Sequence, residues 1–202
     1  IIAARFLGSK GGFHQGRALV ETAPGKWRFI DHAGKSYGSA PGFDDADMFS
    51  EGLAAVEVGD KWGFIDRSGV FVIQAHLDPV SSFAEGLAAF RSGRKYGFID
   101  HGGKIVIPPK FDFVHDFSEG YAAVETGQEW GFIGKRGTFR IPPSYALAHD
   151  FRDGLAQVSP RWDAKWAYIS RQNRMIVAPR YDEAEDFHDD LAQAGTRKDG
   201  NL

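Results

Sequence analysis

The stretch Lys61-Trp62-Gly63-Phe64-Ile65-Asp66, written KWGFID, decides the fold because it recurs. It returns as KYGFID at Lys95 to Asp100 and as EWGFIG at Glu129 to Gly134, each time 34 residues on. The tripeptide ahead of it keeps the same step: Gly52-Leu53-Ala54 is echoed at Gly86, at Gly120 with Tyr121 in place of Leu, and at Gly154. Looser copies stand 36 residues further out on either side, Gly16-Arg17-Ala18 and Asp190-Leu191-Ala192. A fixed period of about 20 to 50 residues is the signature of a tandem-repeat architecture. The aromatic-small pair marks five hairpins, at Trp27-Arg28, Trp62-Gly63, Tyr96-Gly97, Trp130-Gly131 and Trp166-Ala167.

One unit can be read from Gly52 to Phe83. LAAVEV alternates Ala54, Val56 and Val58 against Leu53, Ala55 and Glu57, the period-two pattern of a half-buried strand. GDK turns the chain into KWGFID, which sets Trp62, Phe64 and Asp66 on one face and Gly63 and Ile65 on the other. Ala recurs at 18, 54, 88, 122, 156 and 192, a narrow row suited to close approach of a neighbouring unit. The next turn carries Gly34, Gly69, Gly103, Gly137 and, in the fifth copy, Asn173, residue types that accept positive φ at low cost. The third strand leads to Pro108-Pro109 and Pro142-Pro143, where the absent N–H predicts its end. A crossover of some ten residues follows, with an aromatic or Leu six positions before a Phe at Phe43/Phe49, Leu77/Phe83, Phe111/Phe117, Tyr145/Phe151 and Tyr181/Phe187. It is long enough for one helical turn and too short for a helix.

These units predict an all-β tandem repeat of antiparallel three-strand sheets forming one domain over residues 1–202, with partial units at both ends. An open superhelical array is expected, since propeller blades usually carry four strands; a closed propeller-like ring is the alternative. Stacking is the reason for repetition, because a 34-residue meander cannot bury both of its faces alone. The aromatics Trp27, Trp62, Tyr96, Trp130 and Trp166 are expected in the structural core.

Composition narrows the function. Of 202 residues, 43% are hydrophobic and 25% charged, and the formal net charge is -3 without a run of like charge. That argues against nucleic acid as a partner. No apolar run reaches the ~18 residues of a membrane span. The absence of Cys removes disulfides, thiolate nucleophiles and Cys-type zinc sites without deciding the compartment.

The run EGLAAVEVGDKWGFIDRSGVFVI, with GGKIVIPPKFDFVHDFSEG one unit later, resembles the WG repeat family, also called WG-containing or KWG repeats. The match covers nearly the whole chain in the family's order. The resemblance implies a binding or scaffold module of bacterial proteins, often joined to other domains, with no established catalytic motif. Arg28 and Ala167 depart from the pattern, which makes the end units caps or partner-facing.

No His-x-x-x-His or His-Glu-x-x-His spacing occurs among seven His, so no metal or other cofactor is assigned. His115-Asp116 and His149-Asp150 share one phase, followed by Glu185-Asp186; stacking would align them as a polar row able to hold a cation or ligand, or as solvated turn residues. Asp44, Asp78, Asp112 and Asp182 read as turn formers. Glu51, Glu85 and Glu119 supply a carboxylate per unit, but an active site needs one asymmetric constellation, so identical placement points to a structural task and not to a hydrolase. GSKGG at Gly8 to Gly12 lacks the Gly-Lys-Ser/Thr of a phosphate loop. The fifth copy widens its hairpin turn to SPRWDAK, Ser159 to Lys165, adding Arg161 and Trp162, types enriched at interface hot spots. Trp162 is either a binding anchor for a protein partner or a hydrophobic cap. The aromatic row also admits a carbohydrate or cell-wall ligand.

Overall fold

The computed structural model describes residues 6–38, 42–162, 164–184 and 194–196, and no helix occurs among them. Two compact units divide the chain, Ile1–Ile105 and Val106–Leu202.

In the first unit, β1 (Gly8–His14), β2 (Arg17–Ala23), β3 (Lys26–Ile30) and β4 (Ser36–Tyr37) form one sheet in chain order. β5 (Asp45–Ala46), β6 (Leu53–Val58), β7 (Lys61–Asp66) and β8 (Phe71–Leu77) repeat it, and β9 (Leu87–Ser92) and β10 (Lys95–Asp100) form the next hairpin. The division falls within β11 (Ile105–Phe111). In the second unit, β12 (Phe113–Val114), β13 (Tyr121–Thr126), β14 (Glu129–Gly134) and β15 (Phe139–Tyr145) make one sheet. β16 (Leu147–Arg152), β17 (Leu155–Ser159), β18 (Trp166–Ser170) and β19 (Met175–Tyr181) make another, and β20 (Glu183–Ala184) pairs with β21 (Ala194–Gly195). The pairings are antiparallel, and none of these sheets closes into a barrel. Asp190-Leu191-Ala192, Phe187 and Glu185-Asp186 lie outside the described residues.

The crossover departs from expectation. It holds no helical turn: Asp45–Ala46 and Phe113–Val114 add a short fourth strand to the outer edge of β6 and β13, and Leu147–Arg152 adds a full one to β17. Two residues are too few to show a period in sequence, so in the sheets of β5 to β8 and β12 to β15 the fourth strand comes unannounced. The prolines do not end their strand either. Pro142 and Pro143 lie inside β15, an edge strand with a bulge: Trp130 and Phe132, two apart, pair with Tyr145 and Ile141, four apart. Proline is tolerated where edge and bulge leave no ladder N–H to supply.

That bulge explains the small residue after the aromatic. A Cβ built on Gly131 would stand 2.6 Å from the Ile141 carbonyl oxygen and 2.7 Å from the Pro143 nitrogen; at Gly63 the distances to Ile73 O and Ala75 N are 2.5 and 2.7 Å. The obstruction is backbone in both cases. Turns behave as anticipated at the residue matched to glycine, Asn173, whose φ is 59°. The two-residue turns ahead of β6 and β13 are less expected, because Glu51 and Glu119 as well as the following glycines have positive φ. Ser50 and Leu53 exchange both backbone hydrogen bonds, as do Ser118 and Tyr121, the geometry of a tight type I′ turn.

Sheets in each unit are packed face to face. Ala54, Val56 and Ile65 join Leu19, Phe29, Phe43 and Phe49 in one cluster, while Leu53, Ala55, Phe64 and Ile73 join Phe83, Ala88, Phe90 and Ile99 in a second. The sheet of β5 to β8 is thereby covered on both faces. In the second unit Ala123, Phe132 and Ile141 meet Phe151, Ala156 and Ile169. One joint recurs in all three clusters: the middle-strand Phe packs on the crossover Phe of the next sheet, at 4.7 Å for Phe29–Phe49, 4.7 Å for Phe64–Phe83 and 4.8 Å for Phe132–Phe151, with an interplanar angle of 57° each time. Fully burying such a ring is worth roughly 1.5 to 3 kcal/mol.

The conspicuous aromatics sit at the rim of these clusters. Trp130 is buried, but Trp27, Trp62, Tyr96 and Trp166 are half-buried, and the fully enclosed residues are Phe29, Phe64, Phe98 and Phe132. Trp62, Trp130 and Trp166 pair with the last residue of the third strand, at the end of the sheet where packing thins.

Gly131→Ala is expected to lose about 1 to 3 kcal/mol by overpacking against backbone that cannot swing aside. Chemical denaturation checks it, with Ala167→Gly as the control; Ala167 is already accommodated, so that change should cost no more than about 1 kcal/mol.

Candidate functional site

The carboxylates repeated before each glycine are structural ties. Gly86 N–H donates to Glu51 Oε2 at 2.9 Å and Gly154 N–H to Glu119 Oε2 at 3.0 Å, each linking a turn to its counterpart in the next sheet. Ser50 and Ser118 add hydroxyl bonds to the carbonyls of Phe83 and Phe151, at 2.6 and 2.7 Å. The His101 ring lies beside Glu51, Nε2 to Oε2 3.0 Å, and the Arg171 guanidinium pairs with Glu119. Burial pushes the Glu119 carboxyl up, but the Arg171 guanidinium and the Gly154 N–H outweigh it and hold the group below its ordinary value.

His115 and Asp150 come together as their shared phase implies: His115 Nδ1 and Asp150 Oδ1 are 2.9 Å apart. The two His do not share a ligand geometry. His115 stands edge-on to Trp130 at 5.0 Å and His149 to Trp166 at 5.2 Å, so each covers the rim aromatic of its own sheet. Lys10 lies over Trp27 in the first sheet, which places GSKGG in a strand packed on the array. Asp116, the neighbour of His115, forms interactions of its own. Among the described residues no three His, Asp or Glu side chains converge to hold a metal ion.

Asp44, Asp78, Asp112 and Asp182 hold turns and strand ends together. Asp44 and Asp112 accept the N–H of Gly59 and Gly127, at 2.8 and 3.0 Å, and Asp44, Asp78 and Asp182 pair with Lys26, Lys61 and Lys165. Hydrogen bonds from Lys26 and Lys61 lead in lowering Asp44 and Asp78. Glu57 moves the other way, pushed up by its burial and by Asp45, Asp44 and Asp60.

The last letter of the repeated word has a separate task. Asp66 Oδ1 accepts the N–H groups of Ser68 and Val70, Asp31 Oδ1 those of Ala33 and Lys35, and Asp100 Oδ1 those of Gly102 and Lys104, all at 2.8 to 3.1 Å. Ser170 Oγ does the same more loosely for Gln172 and Arg174, at 3.3 Å. Gly134 has no side chain to offer. A cleft of about 540 Å³ opens there, lined by Gly120, Tyr121, Gly134, Lys135, Arg136 and Arg140. EWGFIG displays the change in sequence, as Gly134 where KWGFID and KYGFID carry Asp66 and Asp100, but a missing side chain carries no chemistry of its own to mark a site.

The widened turn joins β17 to β18 and stands beside the far end of β13 to β15. Trp162 is 67% exposed and does not fold over the last sheet as a cap. Its loop is nonetheless pinned: the buried Ser159 hydroxyl lies 2.7 Å from the Arg161 carbonyl oxygen and 3.1 Å from that of Ala164, and Ala164 N–H donates to Arg161 O. Arg161 and Trp162 wall a cleft of about 360 Å³ with Gln128, Glu129, Ser144, Ala146 and Pro160.

A family model for the WG containing repeat matches five times, over residues 27–62, 62–96, 96–129, 130–159 and 166–200. A search of curated proteins gave no match. Among solved structures, Hsv2p of Kluyveromyces lactis is similar at TM-score 0.54 and 11% identity, over 85% of this chain and 62% of that one. BamB of Moraxella catarrhalis is similar at TM-score 0.53 and 10% identity, over 91% and 65%. A streptogramin B lyase overlaps 98% of this chain and 86% of its own at TM-score 0.48 and 14% identity, and nothing is carried over from it. The chain spans less than two thirds of Hsv2p and of BamB, and at these identities the likeness concerns the fold alone.

The turn carboxylates make stability sensitive to acid. Asp66 is held low by the Ser68 hydroxyl and the Val70 N–H, and Asp31 by the Lys35 N–H and the Tyr37 hydroxyl. With folded values below the ordinary Asp value of about 3.9, the unfolded chain binds more protons in that interval, so their stabilisation is complete above it and is lost as pH falls through the folded values. Thermal unfolding followed from about pH 5 to about pH 2 is expected to show a falling Tm, and a shallower fall in Asp66→Asn.

Proposed function

Because the chain belongs to the WG containing repeat family, we propose that it is a single, non-enzymatic repeat domain that binds a protein partner, with the pinned Arg161-Trp162 turn as a principal contact. The observation that carries this is the exposure of Trp162 beside a cleft, next to the Ser159, Arg161 and Ala164 hydrogen bonds. A large aromatic with only two side-chain torsions costs little conformational entropy on binding, and Trp and Arg are the types most often found at the centre of protein interfaces. Extended repeat arrays suit that role.

The non-enzymatic part rests on how the carboxylates are used. Asp31, Asp44, Asp66, Asp78 and Glu119 all depart from their ordinary values, and each does so in a task repeated from sheet to sheet. Catalysis needs groups tuned apart in one asymmetric pocket. Glu57 is the exception, and the Asp44 and Asp45 beside it are held by Lys26 and Lys10. A carbohydrate stack along the aromatic row has less support, because Trp27, Trp130 and Trp166 are engaged by Lys10, His115 and His149 of the chain itself. No helix among the described residues is long and apolar enough to cross a membrane.

The test is affinity capture from extract of the source cell, followed by quantitative binding of the captured partner. Trp162→Ala is expected to weaken that binding by at least about tenfold with Tm unchanged, and Arg161→Ala by less. Equal affinity in both variants would remove the turn from the interface.

A further inference from the structure

We infer that the cleft at Gly134 is a receptor for an external carboxylate, supplied by an acidic segment of a partner. Resting on the interaction-module assignment, it adds a second contact with its own chemistry.

The site is defined by what its siblings contain. In three other copies of the turn an Asp oxygen accepts the N–H groups two and four residues on, and in a fourth Ser170 does so. In the sheet of β12 to β15 the equivalent donors are the N–H groups of Arg136 and Thr138, and the turn is closed by the same backbone bonds, Gly137 N–H to Gly134 O at 2.8 Å and Gly134 N–H to Thr138 O at 3.0 Å. The frame is retained while its acceptor is gone. Among the described residues nothing accepts from those two N–H groups, and neither Arg136 nor Arg140 is in an ion pair. The cleft holds Lys135 as well, and its one acidic neighbour in sequence, Glu119, is committed to Arg171 and the Gly154 N–H.

Arg140 shows where the missing charge would sit. A Cβ on Gly134 would lie 3.0 Å from Arg140 Nε, so the guanidinium occupies the direction from which a side-chain carboxylate would come. A planar guanidinium fork matches a carboxylate in two parallel hydrogen bonds, and paired backbone N–H groups make a concave anion seat. A carboxylate is favoured over other anions because a carboxylate fills this seat in three sibling turns. The Trp162 cleft lies at the other end of the same strands, so one partner chain could span both or two partners could occupy them separately.

The experiment titrates the full chain with a hexaglutamate peptide, with acetate and with inorganic phosphate, following the amide resonances of Arg136 and Thr138. The expected result is saturable movement of both amides by the peptide, at least about tenfold tighter than by acetate. Gly134→Asp should supply the carboxylate internally, leave Tm equal or higher, and weaken the peptide about tenfold or more. Residue 134 does not have positive φ and the atom facing its Cβ is a flexible side chain, so that variant is sterically acceptable. Arg140→Gln is the second variant, expected to weaken the peptide without touching the turn. Phosphate binding as tightly as the peptide, acetate as tightly as the peptide, unmoved amides, or undiminished binding in both variants would each overturn the proposal. Trp162→Ala is expected to leave this titration unchanged. Failure here with intact Trp162-dependent capture therefore refutes the carboxylate seat and leaves the interaction module standing.

Discussion

A single joint between two phenylalanines organises the molecule. The ring at the centre of each middle strand meets the crossover ring of the following sheet at nearly one distance and one angle, in each of the three clusters where the pair is found. Everything local serves to reproduce that meeting. The alanine row keeps the receiving face shallow, so Ala54, Ala88 and Ala156 admit a neighbouring sheet where a larger side chain would hold it off. The bulge opposite Gly63 and Gly131 lets the third strand curl over its own hairpin so closely that a Cβ there would meet backbone, while the fifth copy makes the same bulge with room for Ala167.

Polar chemistry is arranged around the same joint and is equally periodic. Turn carboxylates reach forward to the next glycine N–H, and serine hydroxyls beside them take the carbonyl of the very Phe that forms the joint. The glutamates hold positive φ to do this, a conformation that non-glycine residues adopt at a cost, offset here by charge-assisted hydrogen bonds between sheets. Stability and specificity of stacking therefore come from different atoms. Apolar rings bring sheets together, and the turn ladder fixes their register.

Much of this was legible in sequence, for reasons that separate local from non-local signals. The period, the hairpin and the left-handed residue at Asn173 are local properties, each written within a few residues, whereas LAAVEV reads as a half-buried strand but has Leu53 to Val56 all buried, because sheets cover both of its faces, and Val58 exposed. The two-residue strands β5 and β12 were not legible, because pairing with β6 and β13 is what makes them strands. The prolines misled for a related reason: Pro142 and Pro143 obey the rule against central ladders by sitting in a bulge on an edge, and sequence does not show bulges. Trp stood out by rarity while the enclosed work fell to Phe, so the aromatic row was expected deeper than it lies. The His115 to Asp150 pairing followed from phase, whereas the cleft at Gly134 is marked by a side chain that is missing and is seen only when the sibling turns are compared.

The forward-reaching turn has a consequence for how such a chain can change length. A middle sheet offers a Phe to the sheet after it and an alanine row to the sheet before it, and Glu51 and Glu119 each find their donor, a glycine N–H, one period on. Whole periods can be inserted or deleted without altering any joint, since the new edges are copies of the old. A single added residue in a strand would turn the Phe to the wrong face and slide the carboxylate past its glycine. The array is thus quantised: its length is free in steps of one repeat and rigid within them, which lets the reach of a binding surface vary while the surface itself stays in register.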